Sequence, residues 1–218
     1  MDHANHHIDS GAYFQKEKNV KKRIAFFDFD GTITTRDTMI ELIKFHVGNI
    51  SFYTGLLALS PFLVAMKLKL ISNVAAKERM LAYFFRNMRV DDFEKLCIDF
   101  STTAIPGLLR PQAVATIEEH KRNGVEVVIV SASGRQWVQH WSAKNNLVLI
   151  STTLEEKNGK ITGKLNGANC HGEEKVRRIK EAFKLDDYKD IFCYGDTSGD
   201  RPMLKLATHA YYKPFENS

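Results

Sequence analysis

The sequence predicts an α/β protein, a parallel sheet core interrupted by an inserted α-helical unit. Short apolar runs with strand character recur with helical stretches between them, the alternation expected of a parallel sheet wrapped by helices. Two of these runs end alike. Ile24-Ala25-Phe26-Phe27 leads into Asp28-Phe29-Asp30-Gly31-Thr32, and Ile191-Phe192-Cys193-Tyr194 leads into Gly195-Asp196-Thr197-Ser198-Gly199-Asp200. Open α/β sheets bind ligands at the carboxyl ends of their strands, so acids there point to chemistry.

The first strand is expected over 24–29. A second, over 125–131, holds the block Val127-Val128-Ile129-Val130, as a strand buried on both faces does. The third covers 147–151, the fourth 191–194, and a short fifth 210–212. Asn123-Gly124 stops one helix, and another is expected from about Lys175 to Phe183. Between 154 and 165, Lys157-Asn158-Gly159-Lys160 predicts a hairpin with an Asn-Gly turn. Residues 38–105 break the alternation with helical spacing and no clear strand. They read as a helical cap inserted into a core made of 20–37 and 106–218. Residues 1–19 are polar, lack the apolar segment of a signal peptide, and are expected to be a disordered tail in which His3, His6 and His7 are inert.

Within the insert, 45–66 contains no residue of formal charge. That length reaches the range of a membrane-spanning helix. Gly48, Asn49, Gly55 and Pro61 are expected to break it up, and Lys67 and Lys69 follow at once. The first reading is cap helices packed on the core; a lipid-facing patch comes second and a true span last. Phe84, Phe85 and Phe93 are expected to fill the cap interior.

Composition narrows the class. A chain of 218 residues suits one full-sized domain, or a core with a smaller insertion. The net charge of +5 favours an anionic substrate or membrane surface. It is too weak and dispersed to argue for nucleic acid, and no RNA-binding or zinc-finger pattern accompanies it. The cluster Lys16, Lys18, Lys21, Lys22 and Arg23 reads as a solvated lead-in. Cys97, Cys170 and Cys193 are far apart and form no CxxC pair, as expected of reduced thiols in a cytoplasmic protein.

Four segments carry chemistry. Strand residues alternate faces, so Asp28 and Asp30 are expected to aim into one crevice as the strand ends. Paired carboxylates repel unless a cation lies between them, and oxygen ligands without His or Cys suit Mg²⁺. Ser131-Ala132-Ser133-Gly134-Arg135 ends the second strand and offers a hydroxyl and backbone N–H groups to a phosphate, with Ser133 equally suited to capping a helix. Lys175 opens a helix and can neutralise a phosphate. Asp196 and Asp200 surround a tight turn and would complete a metal site.

Taken in order, the acid pair, Ser131, Lys175 and the second acid pair resemble the haloacid dehalogenase superfamily of phosphatases, over residues 22–212. The resemblance implies a Rossmann-like core with a helical cap of the C1 type. The run 167–175 and the Gly-Asp-Thr-Ser-Gly-Asp ending are similar to its phosphoserine-phosphatase-like branch. That branch also includes a bacterial phosphatase of phosphatidylglycerophosphate. The resemblance implies Asp28 as nucleophile, forming an aspartyl-phosphate, and Asp30 as general acid and base. It implies Mg²⁺ on Asp28, Asp30 (through its backbone carbonyl), Asp196 and Asp200. Phosphate binding would fall to Thr32, Ser131, Ala132 and Lys175. Phosphoserine phosphatases hold their substrate with a Glu and a cap Arg. Asp37, Arg79 and Arg86 are the nearest equivalents, although Asp37 is a shorter acid and equally suits a helix N-cap.

The first functional reading is a phosphatase for a small phosphorylated metabolite, phosphoserine included. The second is a phospholipid phosphatase, peripheral on the inner face of a membrane through 45–66. The third is a non-catalytic binding protein on the same fold.

Overall fold

The computed structural model describes residues 22–216. The expected tail 1–19, with His3, His6 and His7, lies outside the described residues, as do Lys16, Lys18 and Lys21.

Five strands form one parallel sheet: β1 (Lys22–Phe27), β2 (Glu126–Gly134), β3 (Val148–Thr152), and, after a hairpin of β4 (Leu154–Lys157) and β5 (Lys160–Leu165), β6 (Tyr188–Gly195) and β7 (His209–Tyr212). Their order is β3-β2-β1-β6-β7. Each lies where an apolar run predicts it; β6 starts a few residues earlier, at Tyr188.

Residues 24–27 of β1 are fully buried, and strand alternation divides them between two layers. Ala25 and Phe27 pack with Ile117 of α4 (Pro111–Arg122) and with Trp137 and Trp141 of α5 (Arg135–Lys144). Ile24 and Phe26 pack with Val128, Val130, Ile179 of α6 (Glu173–Ala182) and Met203 of α7 (Arg201–Leu204). The chain winds outward from β1 through β2 to β3, then returns to the other side of β1 with β6. The crevice at that reversal is where open sheets bind ligands. Asp28 N donates to Tyr194 O there, at 2.9 Å.

Three helices stand between β1 and α4: α1 (Thr38–Lys67), α2 (Asn73–Phe85) and α3 (Val90–Asp99). Asp37 caps α1 by accepting from Ile40 N. Four interruptions were expected in α1, but only Gly48, at φ +77°, leaves helical geometry. The helix continues through Asn49, Gly55 and Pro61. Gly55 is a packing glycine: a Cβ there would sit 2.5 Å from Phe84 Cζ and 2.8 Å from Tyr83 Cε1. Phe85 and Phe93 fill the interior of the insert, edge to face at 5.1 Å, with Phe84 half-buried beside them.

The expected hairpin turns at Asn158 and Gly159, with φ of 52° and 69°, the two positive values of a type I′ turn. It also docks on the insert. Ile161 N donates to Met88 O and Asn87 N to Ile161 O, both at 2.9 Å, and Leu165 N donates to Glu78 Oε1 at 2.9 Å.

Replacing Gly55 by valine forces α1 away from α2. Overpacking of this kind costs about 1–3 kcal/mol, and each kcal/mol shifts the melting temperature of a chain this size by about 2–4 °C. A thermal melt of Gly55→Val is expected to show that loss; an unchanged midpoint would mean that the two helices are not in close contact.

Candidate active site

Asp28 is buried one residue beyond β1, and its Oδ1 accepts from Lys175 Nζ at 2.6 Å. Lys175, in the first turn of α6, also donates to Asp200 Oδ1 at 2.7 Å. Asp200 Oδ2 accepts from Asp196 N (3.2 Å), Thr197 N (2.9 Å) and Thr197 Oγ1 (2.8 Å). Asp196 Oδ1 accepts from Thr32 Oγ1 at 2.8 Å. Carboxylate oxygens of Asp28, Asp196 and Asp200 all lie within 4.8 Å of one another. Gly31 lets the chain pass this cluster. Its φ is +80°, and a Cβ there would lie 2.3 Å from Asp196 Oδ2.

The charges do not balance: three carboxylates share one ammonium. Burial raises the Asp28 pKa to about 7, against the pull of Lys175 and with help from Asp200 and Asp30. Burial also raises Asp196, with the Thr32 hydrogen bond opposing it. Burial works against ionisation of Asp200 too, but the Lys175 charge and the hydrogen bonds to its carboxylate hold it below the usual range. Lys175 stays charged, because Asp28 and Asp200 outweigh the cost of its burial. Hard oxygen donors with excess negative charge suit a divalent hard cation.

The Asp30 carboxylate is not one of the three clustered acids, although its charge acts on Asp28. β1 ends at Phe27 and the chain then turns, so strand alternation no longer applies. Asp30 Oδ1 accepts from Thr38 N at 2.9 Å and Thr38 Oγ1 at 2.7 Å, and Oδ2 accepts from Ser133 Oγ. Trp137 Nε1 donates to Thr38 Oγ1 at 3.1 Å. Burial, followed by the nearby Asp37, raises Asp30 to about 6, while the Ser133 and Thr38 hydrogen bonds oppose the rise. Ser133 is therefore not the N-cap of α5; Gly134 holds that position. Ser131, buried at the end of β2, accepts from Ser133 N at 3.0 Å.

A cavity of about 240 Å³ adjoins Asp30. Asp37 and Lys77 line it together with Met39, Leu63, Met66 and Met80. Lys77 Nζ donates to Ala132 O at 2.6 Å and to Asn169 Oδ1 at 3.2 Å, tying α2 to the end of β2. Burial lowers the Lys77 pKa, with Asp30 and Asp37 opposing.

Arg79 and Arg86 are not at this cavity. They line a separate groove between α2 and the hairpin, with Lys157, Lys160 and Lys164. The Arg79 guanidinium lies 4.5 Å from the Phe62 ring centre. Positions 76, 77 and 80 turn one face of α2 inward and 79 belongs to another, while 86 lies just past the end of the helix. Thr38, Lys77 and Asn169 were missed in the sequence, and Ser133 was assigned another role. Nothing local marks them, since each acquires its partner only through tertiary contact.

This sheet, with acids at the exits of β1 and β6 and a helical insert after β1, defines the class. Residues 25–205 match the family model of haloacid dehalogenase-like hydrolases, and the chain belongs to that family. Its core is the phosphoserine-phosphatase-like form of the fold. The protein CicA of Caulobacter vibrioides is 35% identical over 191 residues, covering 87% of this chain and 85% of that one. A phosphoserine phosphatase of Methanocaldococcus jannaschii is 28% identical over 195 residues, covering 86% and 83%. A solved structure from Bordetella pertussis, of unknown function, superposes with a TM-score of 0.73 at 22% identity, over 87% of this chain and 88% of that chain.

Removing one partner of a buried ion pair costs about 3–5 kcal/mol. Lys175→Met leaves Asp28 and Asp200 buried without their cation, so urea unfolding is expected to show a loss of that order. Stability equal to wild type would mean that the three groups are not held as a buried charged set.

Proposed function

We propose that the protein is a Mg²⁺-dependent phosphomonoesterase working through an aspartyl-phosphate on Asp28. The observation that carries this reading is the separation of the acids: Asp28, Asp196 and Asp200 gather around Lys175, while Asp30 is held apart, against the neighbouring cavity.

The donor set fits the ion, being oxygen-only and short of positive charge. Asp28, Asp196 and the Asp30 backbone carbonyl would hold it, with Asp200 behind them steadying Lys175. Bound there, Mg²⁺ supplies neutralisation of charge on the phosphoryl oxygens. Asp28 attacks phosphorus, and the bond to the leaving oxygen breaks. Protonated Asp30 gives that oxygen its proton. The resulting Asp30 carboxylate then takes a proton from water, whose oxygen attacks the aspartyl-phosphate; phosphate leaves and Asp28 is restored. Lys175, Ser131 and the backbone at Ala132 bind phosphoryl oxygens, and Thr32 supports Asp196. The helical insert acts as a cap that excludes bulk water.

The leaving group occupies the cavity beside Asp30. Lys77 and Asp37 offer one cation and one acid there, suited to a small phosphorylated metabolite bearing both kinds of group, phosphoserine among them. The apolar wall of Met39, Leu63, Met66 and Met80 favours a second reading, a phosphorylated lipid.

Phosphate release from a panel of phosphoserine, sugar phosphates, nucleotides and phospholipid phosphates in mixed micelles, with Mg²⁺ and with EDTA, tests the class and the substrate together. Activity is expected only with the metal. Asp28→Asn is expected to be folded and inactive, and Asp30→Asn to lose about 10²–10⁴-fold in kcat while phospho-enzyme accumulates. Near-wild-type turnover by a clean Asp28→Asn preparation would rule out the covalent route.

Lys77→Met is expected to raise KM by about tenfold, the loss of one charge-assisted hydrogen bond, with a smaller change in kcat. An equal fall in kcat with KM unchanged would place Lys77 at the reacting phosphate instead.

A further inference from the structure

Beyond Gly48, α1 is apolar on two sides. Phe52, Gly55 and Leu59 turn inward and are buried against the insert. Ile50, Tyr53, Leu57, Val64 and Leu68 recur at intervals of three, four and seven residues along the opposite side, one face of a helix, and all are exposed. Ile50 is 84% and Leu57 74% accessible. Only 17% of the helix's most apolar stretch is buried in the protein. A helix that is apolar all round belongs in a core or in lipid, and a contiguous exposed apolar face marks an interaction surface.

We propose that this face docks the protein on an anionic lipid surface. Charge selects the occupant. No acidic residue occurs between Glu41 and Glu78, and the helix runs into Lys67-Leu68-Lys69-Leu70. Lys69 adopts φ +59°, turning the chain at a corner where Leu68, between Lys67 and Lys69, and Leu70 after them are exposed. Arg79, over Phe62 on the inner side of α1, lines a groove with Arg86, Lys157, Lys160 and Lys164, in which cations outnumber the acids Glu78 and Glu155. An exposed leucine between cations, with Tyr53 exposed on the same face, matches the apolar, aromatic and basic layers of a membrane interface. A two-fold dimer through the same face would offer these cations no acid of α1 beyond Gly48 to pair with. Leu63 and Met66, on the opposite side of the same helix, line the cavity beside Asp30, so α1 stands between that cavity and the docking face.

Sedimentation of the full chain with vesicles tests this independently of turnover, so a failure of the phosphatase reading would leave the result intact. With vesicles of equal parts phosphatidylcholine and phosphatidylglycerol, wild type is expected to sediment, and to do so less at high salt or with phosphatidylcholine alone. The double variant Ile50→Glu/Leu57→Glu is expected to lower the bound fraction about tenfold while keeping its circular dichroism and its hydrolysis of a soluble ester. Lys67→Glu/Lys69→Glu, which leaves the apolar face intact, is expected to weaken binding to the anionic vesicles severalfold. Wild type that stays in the supernatant, or variants that bind as wild type does, would overturn the proposal. So would a lipid-free dimer that Ile50→Glu/Leu57→Glu disperses to monomers, which would give the face to a second copy.

Discussion

One buried ammonium holds two buried carboxylates, and the site is arranged around that ratio. Lys175 comes from the start of α6, Asp28 from the exit of β1 and Asp200 from the turn after β6. Their ion pairs join three elements that are far apart in sequence. Buried charges are tolerated only when paired and hydrogen-bonded. Asp200 meets this condition with three further donors besides Lys175. Asp28 does not, and its pKa rises to about 7 as a result. With Asp196 beside it, the cluster retains negative charge that no described side chain cancels. Oxygen donors with surplus negative charge at a sheet edge suit a hard divalent cation.

Asp30 obeys a different constraint. Its carboxylate is fixed by Thr38, the first residue of α1, and by Ser133 at the end of β2. Thr38 is fixed in turn by Trp137. On the proposed reaction Asp30 is an acid–base group that must keep its geometry through two proton transfers, and both the core and the insert set that geometry. Lys77 makes a second bridge, from α2 to Ala132 and Asn169. On the proposed reaction, movement of the insert would therefore alter the surroundings of Asp30 and the shape of the leaving-group cavity together.

The strands, the Asn-Gly hairpin and the acids at strand exits were legible in the sequence because each is a local pattern: an apolar run, a turn dipeptide, a carboxylate beside glycine. The roles of Thr38, Ser133 and Lys77 were not, because a threonine, a serine and a lysine look the same whether solvated or wired into a site. Arg79 and Arg86 show the converse. Both had the right charge in the right segment, but two positions along a helix separate Lys77 on the cavity from Arg79 on the groove, and Arg86 lies just past the helix end. Gly55 misled for a related reason. Read alone, glycine in a helix signals a break; between Phe84 and Tyr83 it is what lets two helices approach.

The uncharged stretch of α1 was ambiguous because an apolar residue carries no label for what will cover it. The fold divides the stretch by angle. Phe52, Gly55 and Leu59 meet protein, and Leu63 and Met66 meet the cavity beside Asp30, whereas Ile50, Leu57 and Val64 meet neither. Core packing accounts for the first group and, on the proposed reaction, the leaving group for the second. The third adds nothing to the core. Its regular spacing, and the change from apolar residues to alternating lysine and leucine where the helix ends, are hard to explain by packing alone. They follow if one helix serves two neighbours, the phosphate ester within and a charged apolar boundary outside.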